Sequence, residues 1–143
     1  MKKLALVLLL CVFIVNSGWK SYQNGNLKVV VKGVKSTKGS ILVALTLNKD
    51  TFLKKFDYGL KLKSAKGEVE AVFENLPPGI YAISVIHDEN DNGTLDTNAL
   101  GMPKEGFGFG NNAMGKFGPP PFKEATITWA GSGDSQVVEL RYL

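Results

Sequence analysis

Between residues 87 and 96 the chain reads His87-Asp88-Glu89-Asn90-Asp91-Asn92-Gly93-Thr94-Leu95-Asp96, which sets oxygen-bearing side chains at alternate positions around one glycine. Counted from Asp88 as the first position, Asn90 stands third, Asn92 fifth, Gly93 sixth, Thr94 seventh and Asp96 ninth. A loop with that spacing wraps a hard cation. Side-chain oxygens come from positions 1, 3, 5 and 9, a backbone carbonyl from 7, and glycine makes the sharp turn at 6. Calcium is the expected ion, held by Asp88, Asn90, Asn92, the Thr94 carbonyl and Asp96. The twelfth position is Ala99, which has no carboxylate to give, so the run departs from a complete EF-hand loop. Glu105 is the acid expected to fold back and fill that place, with Glu89 and Asp91 as replacements. With Asp88 and Asp96 as the charged ligands, affinity should be on the order of 10⁻⁴ M. The same residues suit a tight turn, since asparagine and glycine tolerate positive φ and aspartate bonds its own backbone. A turn alone, however, has no use for acids or amides at all four positions.

The segments that must hold this loop alternate with period two, and helical periodicity is scarce. Leu27, Val29 and Val31 alternate with lysines, and Ile41, Val43, Leu45 and Leu47 share a face beyond a turn at Lys38-Gly39. Leu60 and Leu62 mark a short strand, and Val69, Ala71 and Phe73 another between outward glutamates. Residues 79–87 form the strongest strand, with Tyr81, Ile83, Val85 and His87 on one side, and deliver the chain into the acidic loop. Two late strands, 125–129 and 136–142, complete the set, with Trp129 expected in the core. The pattern predicts an all-β domain: a two-sheet antiparallel Greek-key sandwich of about seven strands. Asp50 is expected to cap one helical turn whose Phe52, Leu53 and Phe56 cover an end of the core.

Met1-Lys2-Lys3, an apolar run over 4–15 and the exit Asn16-Ser17-Gly18 read as a secretory signal. About 12 apolar residues fall short of the roughly 20 that span a bilayer as a helix, so no integral membrane segment is expected in the mature chain. The domain organisation is therefore a signal at 1–18 and one β-sandwich at 19–143, secreted or periplasmic. Removing the signal removes Cys11, the single cysteine, and leaves the core and a bound metal to hold the fold. Lysine and arginine total 17 against 13 acids; without Lys2 and Lys3 the balance is 15 to 13, a net +2 that gives nucleic-acid binding no support.

Between Asp96 and Glu124 runs a long segment rich in glycine, proline and aromatics, including Gly106-Phe107-Gly108-Phe109-Gly110 and Gly118-Pro119-Pro120-Pro121-Phe122. Loops of this length in a compact domain are functional or tied down, and calcium at the root would tie this one. The three glycines are no phosphate loop, because no Gly-Lys-Ser/Thr follows. Phe107 and Phe109, with Phe117 and Phe122, are the rings expected to offer an apolar surface to an extracellular glycan or envelope protein, or else to plug the sandwich end.

Phe73-Glu74-Asn75-Leu76-Pro77-Pro78-Gly79-Ile80-Tyr81 resembles the turn-and-strand signature of prealbumin-like sandwiches. The run from His87 to Asn98, followed by Gly101 to Phe109 and the Gly-Pro-Pro-Pro-Phe segment, resembles the bacterial DUF2141 family. That resemblance implies a secreted or periplasmic prealbumin-like or Ig-like sandwich and supplies no activity. Prealbumin-like hydrolases use several histidines and an arginine in one pocket, whereas His87 and Arg141 are the only residues of their kinds here. His87 continues an apolar face, so it is expected to be an interior imidazole whose ring N–H orients Asp88 or the returning chain. The chain is read as a non-enzymatic binding or structural module with a calcium loop. The alternative is a metal-dependent or paired-carboxylate hydrolase of a glycan or ester, using Asp88, Asp91, Asp96 or Glu105.

Overall fold

A computed structural model describes residues 23–133 and 135–143, so the expected signal at 1–18 and Cys11 lie outside the described residues. Eight strands follow in order: β1 (Gly25–Val34), β2 (Ser40–Thr46), β3 (Tyr58–Lys63), β4 (Gly67–Leu76), β5 (Gly79–Asp88), β6 (Gly106–Phe109), β7 (Thr126–Trp129) and β8 (Gln136–Glu139). They form two facing sheets, β4-β1-β8 and a five-stranded sheet with the order β3-β2-β5, continued on the far edge of β5 by β6 and β7. The all-β sandwich is thus present and mostly antiparallel, but β8 runs parallel to β1, with Val29 opposite Gln136.

Alternation explains the core. Successive strand residues point to opposite faces, and every second one is apolar: Leu27, Val29, Val31, Ala71 and Val138 meet Ile41, Val43, Leu45, Ile83 and Val85, each at most 1% exposed. Each such large side chain contributes roughly 1.5–3 kcal/mol by leaving water. Trp129 is buried as expected and donates its indole N–H to the Leu76 carbonyl at 3.2 Å. Leu47 lies beyond the end of β2 and is exposed.

β6 and β7 share one edge of β5 end to end: residues 84–87 of β5 pair with β6, and 79–82 with β7. Between the two half-strands the chain makes an excursion over 110–125. Ala82, Phe107, Phe109 and Ala125 form a second apolar cluster on the outer face of the large sheet, with Phe52, Leu95, Ala113 and Phe122 packed against it. Phe107 and Arg141 exchange both backbone hydrogen bonds, at 3.0 and 2.8 Å, which stitches the two sheets together along the β6/β8 side. Along the opposite side β3 and β4 are both edge strands among the described residues.

The helical turn expected from Asp50 is a non-helical turn. Asn48, not Asp50, supplies the cap, accepting the Asp50 N–H at 2.9 Å. Leu53 has φ +62, which breaks a helix, and only Phe52 packs; Leu53 and Phe56 are exposed.

Candidate functional site

β5 ends on Asp88, which is fully buried, and its carboxylate organises the loop that follows. Asp88 Oδ1 accepts the Asn92 N–H at 3.0 Å and Oδ2 the Gly93 N–H at 2.7 Å. Closing so tight a loop requires positive φ at Asp91 (60°) and Gly93 (82°), and only glycine adopts the second without strain. Asn90 Nδ2 donates to Asp96 Oδ2 at 2.6 Å and Asn92 Nδ2 to Asp96 Oδ1 at 3.0 Å, so residues 90, 92 and 96 converge. Their carboxamide oxygens accept from the Asn92 and Thr94 N–H groups, at 3.1 and 2.8 Å, and the Thr94 hydroxyl adds a third bond. Glu105 does return to the loop. It is 5% exposed, and its two oxygens accept the Glu89 and Asp96 N–H groups at 2.9 and 3.0 Å.

Glu89 and Asp91 face elsewhere. Glu89 accepts from the Ser36 hydroxyl at 3.2 Å, and Asp91 from the Ser40 hydroxyl at 2.6 Å while pairing with Lys61 at 3.0 Å. The Ser40 hydrogen bond, then Lys61, holds the Asp91 carboxyl below its ordinary range. Below the loop lies the β1–β2 turn, where Gly39 has φ +62 and a Cβ would overlap the Asp88 carbonyl oxygen. The turn that the sequence marks as Lys38-Gly39 is therefore also the floor of the loop.

His87 is a fully buried imidazole, as its place on an apolar face implies. Its Nδ1 lies 2.7 Å from the Tyr142 hydroxyl, and its Nε2 lies 2.9 Å from the Lys38 carbonyl and 3.0 Å from Ser64 Oγ. Ser64 donates its own proton to the Ser36 carbonyl at 2.7 Å. The Lys38 carbonyl can only accept and the Ser64 proton is already given to Ser36, so Nε2 bears a proton that it donates to both. This polarity is the reverse of a nucleophile and base pair, in which the imidazole would take the serine proton. Of the two partners expected for His87, Asp88 is not one it meets, because neighbours on a strand point to opposite faces; the ring enters the core and reaches the returning C-terminal tail at Tyr142. His87 instead joins three chain segments, the β1–β2 turn, the β3–β4 turn and the C-terminal tail. Ser64 and Tyr142 were not singled out by sequence, because neither belongs to a local motif.

Phe107 and Phe109 are each 7% exposed, which overturns the expectation that they present a binding surface. Gly106 and Gly108 explain their placement. A Cβ at Gly108 would come within 2.7 Å of Val138 Cγ1, and one at Gly106 within 2.5 Å of the Tyr142 ring. Glycine faces the closely approaching tail, so the alternate phenylalanines face the outer cluster. The exposed apolar side chains of the long segment are Leu100, Met102, Met114 and the fully exposed Phe117. Asn111 anchors the excursion, donating to the Glu124 and Thr126 carbonyls at 3.1 and 2.8 Å, while Asn112 accepts the Glu139 N–H at 2.8 Å.

Among the described residues no group of three or more His, Cys, Asp and Glu side chains converges as a metal centre. The Asn90 and Asn92 carboxamides converge on the Asp96 carboxylate, while Asp88 and Glu105 bind backbone N–H groups of the same loop. Carboxylate and carboxamide oxygens are hard donors, the kind that calcium takes. Each carboxylate oxygen carries a second lone pair beyond the one its hydrogen bond uses. Asn90 and Asn92 turn nitrogens toward Asp96, so half a turn of each carboxamide would aim oxygens there instead.

A family model described as "Uncharacterized protein conserved in bacteria (DUF2141)" matches residues 29–137. No curated protein and no solved structure matches the chain.

Proposed function

The chain belongs to the DUF2141 family, and we propose that it acts there as an exported, non-catalytic β-sandwich binding module whose 88–96 loop takes up Ca²⁺. The observation carrying this reading is the convergence of Asn90, Asn92 and Asp96 inside a loop already closed on buried Asp88. Asp88, Asn90, Asn92, the Thr94 carbonyl and Asp96 would hold the ion, with buried Glu105 as the further carboxylate. The ion would neutralise Asp88 and Asp96 and fix the root of the long segment. Since the loop's oxygens already accept internal hydrogen bonds, binding must exchange some of these for the cation, which supports a weak site of the extracellular kind. A glycan or envelope protein would then meet the exposed side chains Leu100, Met102 and Phe117 rather than Phe107 and Phe109.

The hydrolase alternative draws less support from the geometry. Buried Asp88 and Glu105 have both oxygens committed to backbone N–H groups, and Asp91 is held by Ser40 and Lys61. Titration calorimetry of chelator-treated protein with CaCl₂ tests the main reading. Saturable heat near 10⁻⁴ M is expected, and no heat at millimolar calcium refutes it.

A further inference from the structure

We infer that the open β3/β4 side of the sandwich is a self-association surface, on which a second copy of this chain docks by two-fold symmetry with each β3 beside the other copy's β4. Among the described residues the two sheets are stitched along β6 and β8 but not along this side, where both edge strands flank a cleft of about 510 Å³ lined by residues 57–60 and 72–74. The inward residues of β3 are left incompletely covered. Tyr58, Leu60 and Leu62 are only partly buried, whereas their neighbours on β2, Ile41, Val43 and Leu45, are at most 1% exposed. An edge with unpaired backbone groups and a half-covered apolar row is a template for another strand.

Register and charge identify the occupant. β3 and β4 follow each other through the short turn 64–66, and the cleft brings 57–60 level with 72–74. A two-fold axis parallel to the strands keeps that level and sets β3 antiparallel to β4 of the second copy. Lys63 then stands opposite Glu68, Lys61 opposite Glu70 and Gly59 opposite Val72. On the inner face Leu62 meets Val69, Leu60 meets Ala71 and Tyr58 meets Phe73. Lys61 is already paired with Asp91, and Glu70 with Lys28, each at 3.0 Å. The seam therefore extends both pairs into one row of alternating sign, Asp91, Lys61, Glu70 and Lys28, across two molecules. The exposed Phe56 ring covers Gly59, where a Cβ would come within 2.6 Å of it, and so would lie beside exposed Val72 of the second copy. One pair opposes the seam, Asp57 facing Glu74, at its far end. An acidic or basic strand from another protein would match only one of the two edges, whereas a second copy matches both at once.

Sedimentation equilibrium from about 1 μM to about 1 mM tests this. The protein is expected to dimerise and not to form longer chains, since two-fold symmetry closes both seams. Lys61→Glu with Lys63→Glu, and separately Glu68→Lys with Glu70→Lys, should each weaken the dimer by on the order of a hundredfold, because four cross-strand charge pairs change from attraction to repulsion. Mixing the two variants should restore a heterodimer in which every pair is again opposite. All four positions are exposed, so melting should barely change. If either double variant melts early, Val72→Lys, which confronts Gly59 and adds a charge to the seam, replaces it. A monomer throughout the range, dimers that persist in both variants, open-ended assembly, or a mixture that stays monomeric would each overturn the inference.

Discussion

Asp96→Asn separates the loop's calcium chemistry from its role in the fold. Asp96 is half-buried, and its oxygens accept only the two carboxamide hydrogen bonds from Asn90 and Asn92. The substitution keeps the shape and one acceptor but turns an N–H₂ toward one of those donors, which should cost about 0.5–1 kcal/mol without calcium. Asp88→Ala differs, because it strips two buried charge-assisted acceptors from the Asn92 and Gly93 N–H groups; about 3 kcal/mol should be lost even in chelator. At about 10 mM Ca²⁺ and a dissociation constant near 10⁻⁴ M, the unsubstituted protein should gain about 2.7 kcal/mol. For a domain of this size that is on the order of a 10 °C rise in Tm. Both variants should lose most of that rise while differing in their calcium-free Tm. The assay is thermal unfolding by circular dichroism in EDTA and in calcium. A full calcium-induced rise in Asp96→Asn would refute the assignment of that carboxylate to the ion, and no rise in the unsubstituted protein would refute the site.

Tyr142→Phe leaves buried His87 Nδ1 without its hydrogen-bond partner and should lower stability by about 1–3 kcal/mol in urea denaturation, with the β strands otherwise intact. Gly39→Ala forces a Cβ into the Asp88 carbonyl and a left-handed φ on alanine; a loss of about 2–4 kcal/mol is expected, together with weaker calcium binding by calorimetry. Burial raises the Tyr142 and Tyr81 phenols above their ordinary value. Their contribution to stability is therefore complete below about pH 10 and lost as pH rises through the elevated folded values, which ultraviolet titration at the phenolate band followed alongside unfolding will check. Asp91 has the opposite sign: its folded pKa is depressed, so its contribution holds above about pH 4 and fades as pH falls through the folded value. NMR titration of the Asp91 carboxyl carbon tests this, and Ser40→Ala should bring its midpoint back up.

Much of the framework was legible in the chain because burial on a strand is periodic. Val29, Val43, Ile83 and Val85 declare which face is inside, and Asp88, Asn90, Asn92, Gly93 and Asp96 declare a closed oxygen-lined loop, since both patterns are local. The Gly-Phe-Gly-Phe alternation of β6 was the same period-two signal, masked by glycine's poor strand propensity. It becomes a strand only because the returning tail, with Val138 and Tyr142, needs the space that a Cβ would fill. For the same reason Phe107 and Phe109 could not be placed from sequence: alternation says that they share a face, and only the excursion over 110–125 covers that face. Tertiary structure alone decided the partners of His87, which lie 23, 49 and 55 residues away along the chain. It also decided which side of the sandwich is stitched shut and which, among the described residues, keeps two edge strands. Local spacing sets what a residue faces along its own strand. What it meets across the sandwich depends on how distant segments return, and no local pattern encodes that return.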